Sequence, residues 1–230
     1  MKTIFKLVAL VSGIGSLLIS NASSQQETPR FGFVRIVNAI NQGQGNAKFS
    51  VDGEDIFPKG YQLGETSGGM SLKQGSHSIS VSKEGLEKGT TKLDLVTNET
   101  TTLIAFAEQQ PAPKEGDPPV WAIKLLRLKQ REVEKGYGLT LVSVAKEPET
   151  KLQLAIQGKG AVEKCSVTRL GITYVNLGES RGEVFVKIAD KIVTTVSPDT
   201  PGNYVVVVYD AGDGKTAAIY FFDPKFVIAG

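Results

Sequence analysis

The chain has 230 residues, of which 22% are charged, and it contains one His and one Cys. Without Lys2 and Lys6, which lie in the N-terminal segment described next, its 26 basic residues become 24, against 24 acidic ones. This neutral balance argues against binding to nucleic acid, which requires a surplus of Lys and Arg. A single Cys excludes an intramolecular disulfide, so the folded chain must depend on apolar cores.

Residues 1–24 have the pattern of a secretory signal peptide. Lys2 and Lys6 precede and flank an apolar run over residues 7–19, and small residues follow it. The run is shorter than the roughly 20 residues that a membrane-spanning helix needs, so we expect no retained transmembrane segment. The mature chain is then expected to begin near Ser23 or Gln25, and the protein is predicted to be periplasmic or secreted.

The rest of the chain is predicted to be almost entirely β. Apolar and polar residues alternate in short runs that Gly, Asn, Asp and Pro separate, with hardly a helical period. In chain order, the predicted strands of the first half are FGFVRIVNA from Phe31, AKFSVDG ending at Gly53, GSHSISVSK from Gly75, TKLDLVT from Thr91, TTLIAFAE from Thr101 and VWAIKLLRL from Val120. Those of the second half are GLTLVSVAK from Gly138, LQLAIQG ending at Gly158, LGITYVNLG from Leu170, GEVFVKIAD from Gly182, KIVTTVS from Lys191, NYVVVVYD from Asn203 and TAAIYFFD from Thr216.

The second set of strands repeats the first. The alignment pairs Gly32 with Gly138, Phe49–Gly53 with Leu154–Gly158, and Gly75–Val81 with Gly182–Ile188. Few letters are identical, but apolar positions and turn glycines coincide, and strand phase decides which residues face a core. The repeat favours duplication of one β-unit, while a chance alignment of two β-domains remains the alternative.

The repeat also places the domain boundary. The Pro-rich stretch 109–119 resembles a linker in composition, but its counterpart in the second copy is the short turn 211–214 between two strong strands. We therefore predict a hairpin loop at 109–119 and a boundary in the charged stretch 129–136. The predicted domains are residues 25–130 and 131–230, each long enough to bury its own core.

About seven strands per domain, without helices to cover a parallel sheet, predict two tandem antiparallel β-sandwiches of immunoglobulin-like shape. A small closed barrel is the alternative. The run YVVVVY at 204–209 is apolar on both faces. It is predicted to be a central strand buried on both sides, or one whose outer face meets the other domain.

The residue types of enzyme active sites are scarce. His77 is the sole His, and the strand phase places no marked Asp or nucleophilic Ser opposite it, so we interpret it as a surface or edge-strand residue. Cys165 follows Lys164, which would lower a thiol pKa, but an inert thiol is the preferred interpretation. The acidic run at 52–55 is typical of a hairpin turn. We assign no catalytic, cofactor-binding or metal-binding residue and expect no cofactor.

Three aromatic residues are candidates for ligand contact. Trp121, Tyr61 and Tyr137 would stack on sugar rings if they were exposed. Trp121 begins a strand beside the long loop, so partial burial at a sheet edge is the simpler interpretation.

Three short motifs carry a resemblance to a known family. These are FVRIVNA at 33–39, VDG at 51–53 and LKQGSHSISV at 72–81. They resemble the signature of a bacterial family of secreted domains of unknown function, in which a V-R-x-x-N-A strand precedes a VDG hairpin. In overall plan the chain is also similar to the periplasmic accessory proteins of alginate O-acetylation. The second domain lacks both the Arg and the Asn of the signature.

The resemblance implies a non-enzymatic component of the cell envelope that serves polysaccharide modification. From the sequence we expect a binding or scaffold protein whose partner, an envelope protein or a polysaccharide, contacts strand edges and loops such as 109–119. A surface adhesin or carbohydrate-binding module is the second hypothesis, and an esterase or glycosidase the third.

Overall fold

The computed structural model describes residues 30–112, 118–158, 162–179, 181–212 and 214–226. The predicted signal peptide lies outside these residues. The described chain is all-β, with sixteen strands and no helix within the ranges just given. It therefore also contains no helix of the length and apolar character needed to cross a membrane. Four four-stranded sheets form two tandem β-sandwiches, as the sequence predicted.

The first sandwich is built from eight strands. One sheet has the order β4-β1-β7-β8 and the other β3-β2-β5-β6. The strands are β1 Phe31–Ala39, β2 Gln44–Val51, β3 Glu54–Asp55, β4 Met70–Lys73, β5 Gly75–Glu84, β6 Gly89–Leu95, β7 Thr100–Gln110 and β8 Val120–Lys129.

The second sandwich repeats this arrangement. Its sheets have the orders β12-β9-β15-β16 and β11-β10-β13-β14. The strands are β9 Tyr137–Ser143, β10 Glu149–Ile156, β11 Val162–Thr168, β12 Ile172–Gly178, β13 Val184–Ile188, β14 Lys191–Val196, β15 Gly202–Gly212 and β16 Lys215–Asp223. Strand for strand, the two topologies coincide.

Each sandwich contains one parallel pair, which differs from the purely antiparallel sheets expected from the sequence. β1 lies parallel to β7, with Phe33 opposite Thr100 and Ala39 opposite Phe106. β9 lies parallel to β15 in the same way. Alternation within a strand specifies which residues face the core but does not specify the direction of the neighbouring strand.

The three strands that the sequence did not predict are β3, β4 and β11. Each is at the edge of its sheet. Both residues of β3 are exposed, two of the four residues of β4 are exposed, and β11 begins with three exposed positions. An edge strand buries little of its surface, so its sequence carries a weak apolar alternation.

The predicted hairpin loop connects two paired strands. β7 and β8 pair antiparallel as far as Gln110 opposite Val120, and the corresponding β15–β16 pair ends at Gly212 opposite Lys215. Residues 113–117 of the loop lie outside the described residues. No strand pairing among the described residues crosses 130–136, which connects β8 to β9.

The structure corrects one step of the repeat alignment. Pairing Gly32 with Gly138 places Ile36 opposite Val142, yet Ile36 packs in the first core and Val142 packs between the domains. A shift of one residue pairs Ile36 with Leu141, which packs in the second core. The alignment of Phe49 with Leu154 keeps the correct face, because both residues are buried in their own cores.

A third apolar cluster joins the two domains. It combines β1, β7 and β8 residues of the first sandwich with β9, β15 and β16 residues of the second. Val205 and Val207 of β15 lie in this cluster, whereas Val206 and Val208 face the second core. Both predictions for the run at 204–209 are confirmed, since the strand is central and its outer face meets the other domain.

Candidate functional site

The second sandwich is open at one end, and this opening forms the largest groove described here, with a volume of about 730 Å³. We call it the end groove. It is lined by Glu147, Glu149, Thr150, Lys151, Leu152, Gln153, Lys164, Cys165, Ser166, Ile188, Ala189 and Thr216. Leu152 belongs to the second core, and Ile188 and Cys165 pack against that core. The groove therefore has an apolar floor and a polar rim.

A short turn leaves this end open. β13 and β14 are joined by Ala189 and Asp190, which have φ angles of 46° and 65°. Two consecutive positive φ values with Ile188 opposite Lys191 are typical of a two-residue type I′ hairpin. Such a turn has no side chain long enough to cover the core beneath it.

The first sandwich closes the equivalent end with its own chain. The connection after β5 is longer there, and Leu86 packs against the first core. Lys83 donates from Nζ to the carbonyl oxygen of Ile40 (2.8 Å), which holds the end of β5 to the segment after β1. The end groove thus lies where the first domain has the side chain of Leu86, which the β5–β6 connection places against the core.

The thiol in the end groove is protonated at neutral pH. Burial raises the pKa of Cys165 to about 11, and the nearby carboxylate of Glu163 adds to this shift. The nucleophilic species is the thiolate, so Cys165 contributes a small apolar surface rather than a reactive group. Lys164 lies next in the chain but does not lower this pKa.

A second groove of about 340 Å³ lies at the junction of the two domains. We call it the junction groove, and its lining residues are Ala107, Glu108, Gln109, Trp121, Val144, Lys146, Arg169 and Asp210. Arg169 of the second domain forms an ion pair with Glu108 of the first. Asp210 accepts a hydrogen bond from the backbone N–H of Lys146 at 2.9 Å. Charged groups of both signs therefore surround the one Trp of the chain.

The three aromatic candidates have different surroundings. Trp121 is partly buried and lines the junction groove. Tyr61 is also partly buried, with its ring 5.3 Å from Phe49 and 5.4 Å from Phe57. Tyr137 is 2% exposed and belongs to the second core, so it does not meet the condition of exposure on which stacking with a sugar depends. It begins β9, whose residues are all buried.

The structure also corrects the surroundings of His77. Asp52 does face it, because Nδ1 of His77 lies 2.7 Å from Oδ2 of Asp52. Nε2 lies 2.8 Å from the carbonyl oxygen of Lys73. Asp52 and Gly53 have φ angles of 51° and 90° and form the predicted hairpin turn. Both ring nitrogens are occupied by protein oxygens, so neither is available to activate a nucleophile.

Arg35 and Asn38 of β1 have structural roles that the sequence did not reveal. Arg35 donates from Nη1 to Oδ1 of Asp223 in the other domain at 2.7 Å, with side-chain exposures of 4% and 2%. Its guanidinium lies 5.0 Å from the ring centre of Phe221 and 5.5 Å from that of Phe226. An Arg within an otherwise apolar strand was the signal for a buried ion pair.

Asn38 organises the loop that follows β3. Its Nδ2 donates to the carbonyl oxygen of Tyr61 at 2.9 Å, and its Oδ1 accepts from the N–H of Ile40 at 3.0 Å. Its backbone carbonyl accepts from Gly64. In the second domain, the corrected alignment places Thr140 and Ser143 where the first has Arg35 and Asn38. Arg35 therefore stabilises the contact between the domains, and Asn38 stabilises a loop of the first domain. The second domain has no Arg or Asn at the equivalent positions.

These observations define the chain as a two-domain all-β protein in which two similar sandwiches share a buried interface and carry one groove at an open end and one at their junction. No protein-family model and no curated protein matches the sequence. Among solved structures, the chain is similar to the Bacillus anthracis TIE protein, with 12% identity and a TM-score of 0.26. The match covers 79% of this chain and 50% of that one, so the chain spans about half the length of that structure.

Proposed function

We propose that this protein is a non-enzymatic binding or scaffold protein of the bacterial cell envelope, periplasmic or secreted, and accessory to polysaccharide modification. In this proposal the end groove holds an envelope protein partner. The observation that carries it is that Ile188 and Cys165 pack on the second core and are only half-buried in the groove, at an end that the first domain covers with Leu86. Apolar surface of this kind is stabilised when another molecule removes it from water.

The chemistry of the two reactive side-chain types supports binding rather than catalysis. His77 has both ring nitrogens engaged, and the thiol of Cys165 is protonated. The two residues lie in different domains. The resemblance of β1 and of the VDG hairpin to a family of secreted bacterial domains supports the assignment to the envelope.

The test is capture of a partner from envelope extract by the tagged mature chain. The variant Lys151→Glu/Lys164→Glu reverses two exposed charges on the rim and leaves the apolar floor intact. We expect the variant to capture about tenfold less of the partner than the unaltered chain does, because charges at the rim of an interface control the rate of association.

The matched control is Lys59→Glu/Lys88→Glu, which makes the same charge change at two exposed positions of the first domain. We expect this control to capture the partner as the unaltered chain does. Equal capture by all three proteins would remove the end groove from the proposal, and turnover of model esters or glycosides would overturn the non-enzymatic assignment.

A carbohydrate-binding module or surface adhesin is the second candidate, because Trp121 lines the junction groove beside Glu108 and Arg169. Aromatic rings and paired polar groups are suited to sugar recognition. Trp121 is the only Trp, so its fluorescence reports on this groove alone. A saturable spectral shift with one class of glycan, but not with an equal concentration of sucrose, would favour this candidate over the protein partner.

A further inference from the structure

His77 connects the two sheets of the first sandwich. It is in β5, which belongs to the sheet β3-β2-β5-β6, and its Nδ1 contacts Asp52 in the turn between β2 and β3 of the same sheet. Its Nε2 contacts the carbonyl oxygen of Lys73 at the end of β4, which belongs to the opposite sheet. The side chain is 14% exposed. Because Gln74 alone connects β4 to β5, the imidazole ring ties this β4–β5 connection to the β2–β3 turn at one end of the sandwich.

The two partners of the ring are both hydrogen-bond acceptors. A carbonyl oxygen cannot donate, and an ionised carboxylate cannot donate either. A neutral imidazole carries one N–H and can satisfy only one of these partners, whereas an imidazolium carries two and satisfies both. The observed geometry is therefore complete only when His77 is protonated.

We propose that His77, Asp52 and the carbonyl group of Lys73 form a protonation-dependent latch that ties the end of β4 to the β2–β3 turn and releases the end of β4 as the pH rises. When the ring loses a proton, the remaining N–H can donate either to Asp52 or to Lys73. The backbone of β4 beside Lys73 is the part that is freed, since Asp52 keeps its hydrogen bond from the N–H of Ser78 at 2.8 Å.

Among the described residues, Asp52 is the charged group that acts on the pKa of His77. Leu93 of β6 is opposite His77, and its neighbours Lys92 and Asp94 are on the other face of the sheet by strand alternation. Glu54 and Asp55 of β3 are exposed. The group that faces His77 from β2 and β3 is the carboxylate of Asp52, and the group that faces it from β4 is the Lys73 carbonyl.

The electrostatics agree with this geometry. The hydrogen bond to the Lys73 carbonyl and that to Asp52 raise the pKa of His77 above its ordinary value of 6.5. The hydrogen bonds from His77 and from the N–H of Ser78 lower the pKa of Asp52. Because the pKa of His77 is higher in the folded state than in the unfolded state, the latch gives its full stabilisation when the pH is below the unfolded-state pKa. This stabilisation is lost as the pH rises through the folded-state pKa of His77.

The first test is an NMR titration, in which the single His of the chain gives an unambiguous signal. We expect the His77 midpoint to lie above 6.5 in the unaltered protein and to move downward in Asp52→Asn. Asn tolerates the positive φ of this turn, so the variant removes the charge and retains the backbone. A midpoint at or below 6.5 in the unaltered protein would overturn the proposal.

The second test asks whether the ring controls β4. The N–H of Gln74, next to Lys73, donates to the carbonyl oxygen of Arg30 at 2.7 Å and ties the end of β4 to the start of β1. After correction for intrinsic pH dependence, we expect its hydrogen-exchange protection to fall as the pH rises through the His77 midpoint. His77→Gln, which cannot be charged, should show low protection at every pH. Equal protection in both proteins across the range would show that His77 does not hold the end of β4 in place.

Discussion

Single residues explain why β1 contains an Arg and an Asn that its structural copy β9 lacks. Arg35 forms a buried ion pair with Asp223, and Asn38 holds the loop beyond Tyr61. Tyr137 is a contrasting case, because its hydroxyl group is buried and has no hydrogen-bond partner among the described residues. A buried polar group without a partner destabilises a fold by about 1–3 kcal/mol.

This observation gives a prediction for Tyr137→Phe. The variant removes the unpartnered hydroxyl and keeps the ring in the second core, so we expect the free energy of unfolding to rise by about 0.5–1 kcal/mol. Urea denaturation at neutral pH measures the change. The control is Tyr204→Phe, because the hydroxyl of Tyr204 donates to the carbonyl oxygen of Thr200 at 3.0 Å and its loss should destabilise. If both variants were destabilised equally, the Tyr137 hydroxyl would have to be hydrogen-bonded.

At the scale of elements, the length of one hairpin turn decides whether a core is covered or left as a groove. The β13–β14 turn contains Ala189 at a φ of 46°, in the left-handed region that favours Gly and Asn. A residue with a β-carbon is strained there by about 1–2 kcal/mol.

We predict that Ala189→Asn/Asp190→Gly stabilises the second domain by about 1 kcal/mol, because Asn-Gly is the preferred sequence of a type I′ turn. Thermal unfolding, monitored by circular dichroism, should show this stabilisation as a higher Tm. The comparison variant is Gly53→Ala, which places a β-carbon at a φ of 90° in the same class of turn and should lower the Tm. An unchanged Tm in the first variant would mean that Ala189 does not have the positive φ described here.

The elements also show what local sequence can and cannot predict. Alternation identified the strands that bury a face, and the all-apolar run of β15 indicated its two buried faces. Alternation missed β3, β4 and β11, because edge strands bury little of their surface. The end groove and the contact of His77 with Asp52 were also missed, since both depend on how segments about 25 or more residues apart meet in space.

At the scale of the whole molecule, the interface makes the two sandwiches one unit. Apolar residues of β1, β7, β9 and β15 pack between them. The pair Arg35–Asp223 is extended by Asn203, which donates to Asp223 at 3.5 Å and accepts from Thr140 at 2.9 Å. Removing one partner of such a buried pair leaves a charge without compensation.

We therefore predict that Asp223→Leu lowers the free energy of unfolding by about 3–5 kcal/mol. Arg35→Leu/Asp223→Leu should recover a large part of this loss, because no unpaired charge remains. Calorimetry is the measurement, and we expect the single variant to separate the unfolding of the two domains into two transitions. Additive effects in the double variant would contradict a direct coupling between the two side chains.

The ring of Phe226, the last described residue, lies 5.2 Å from that of Phe33, which is three residues after the first described residue, Arg30. Both ends of the described chain thus emerge at one pole of the molecule, where β1 and β7 begin. The end of β7, the end of β9 and the β13–β14 turn lie at the other pole, where both grooves open. A fusion or surface attachment made at either end of the described chain, at Arg30 or Phe226, would therefore lie at the pole opposite the grooves and leave both of them accessible.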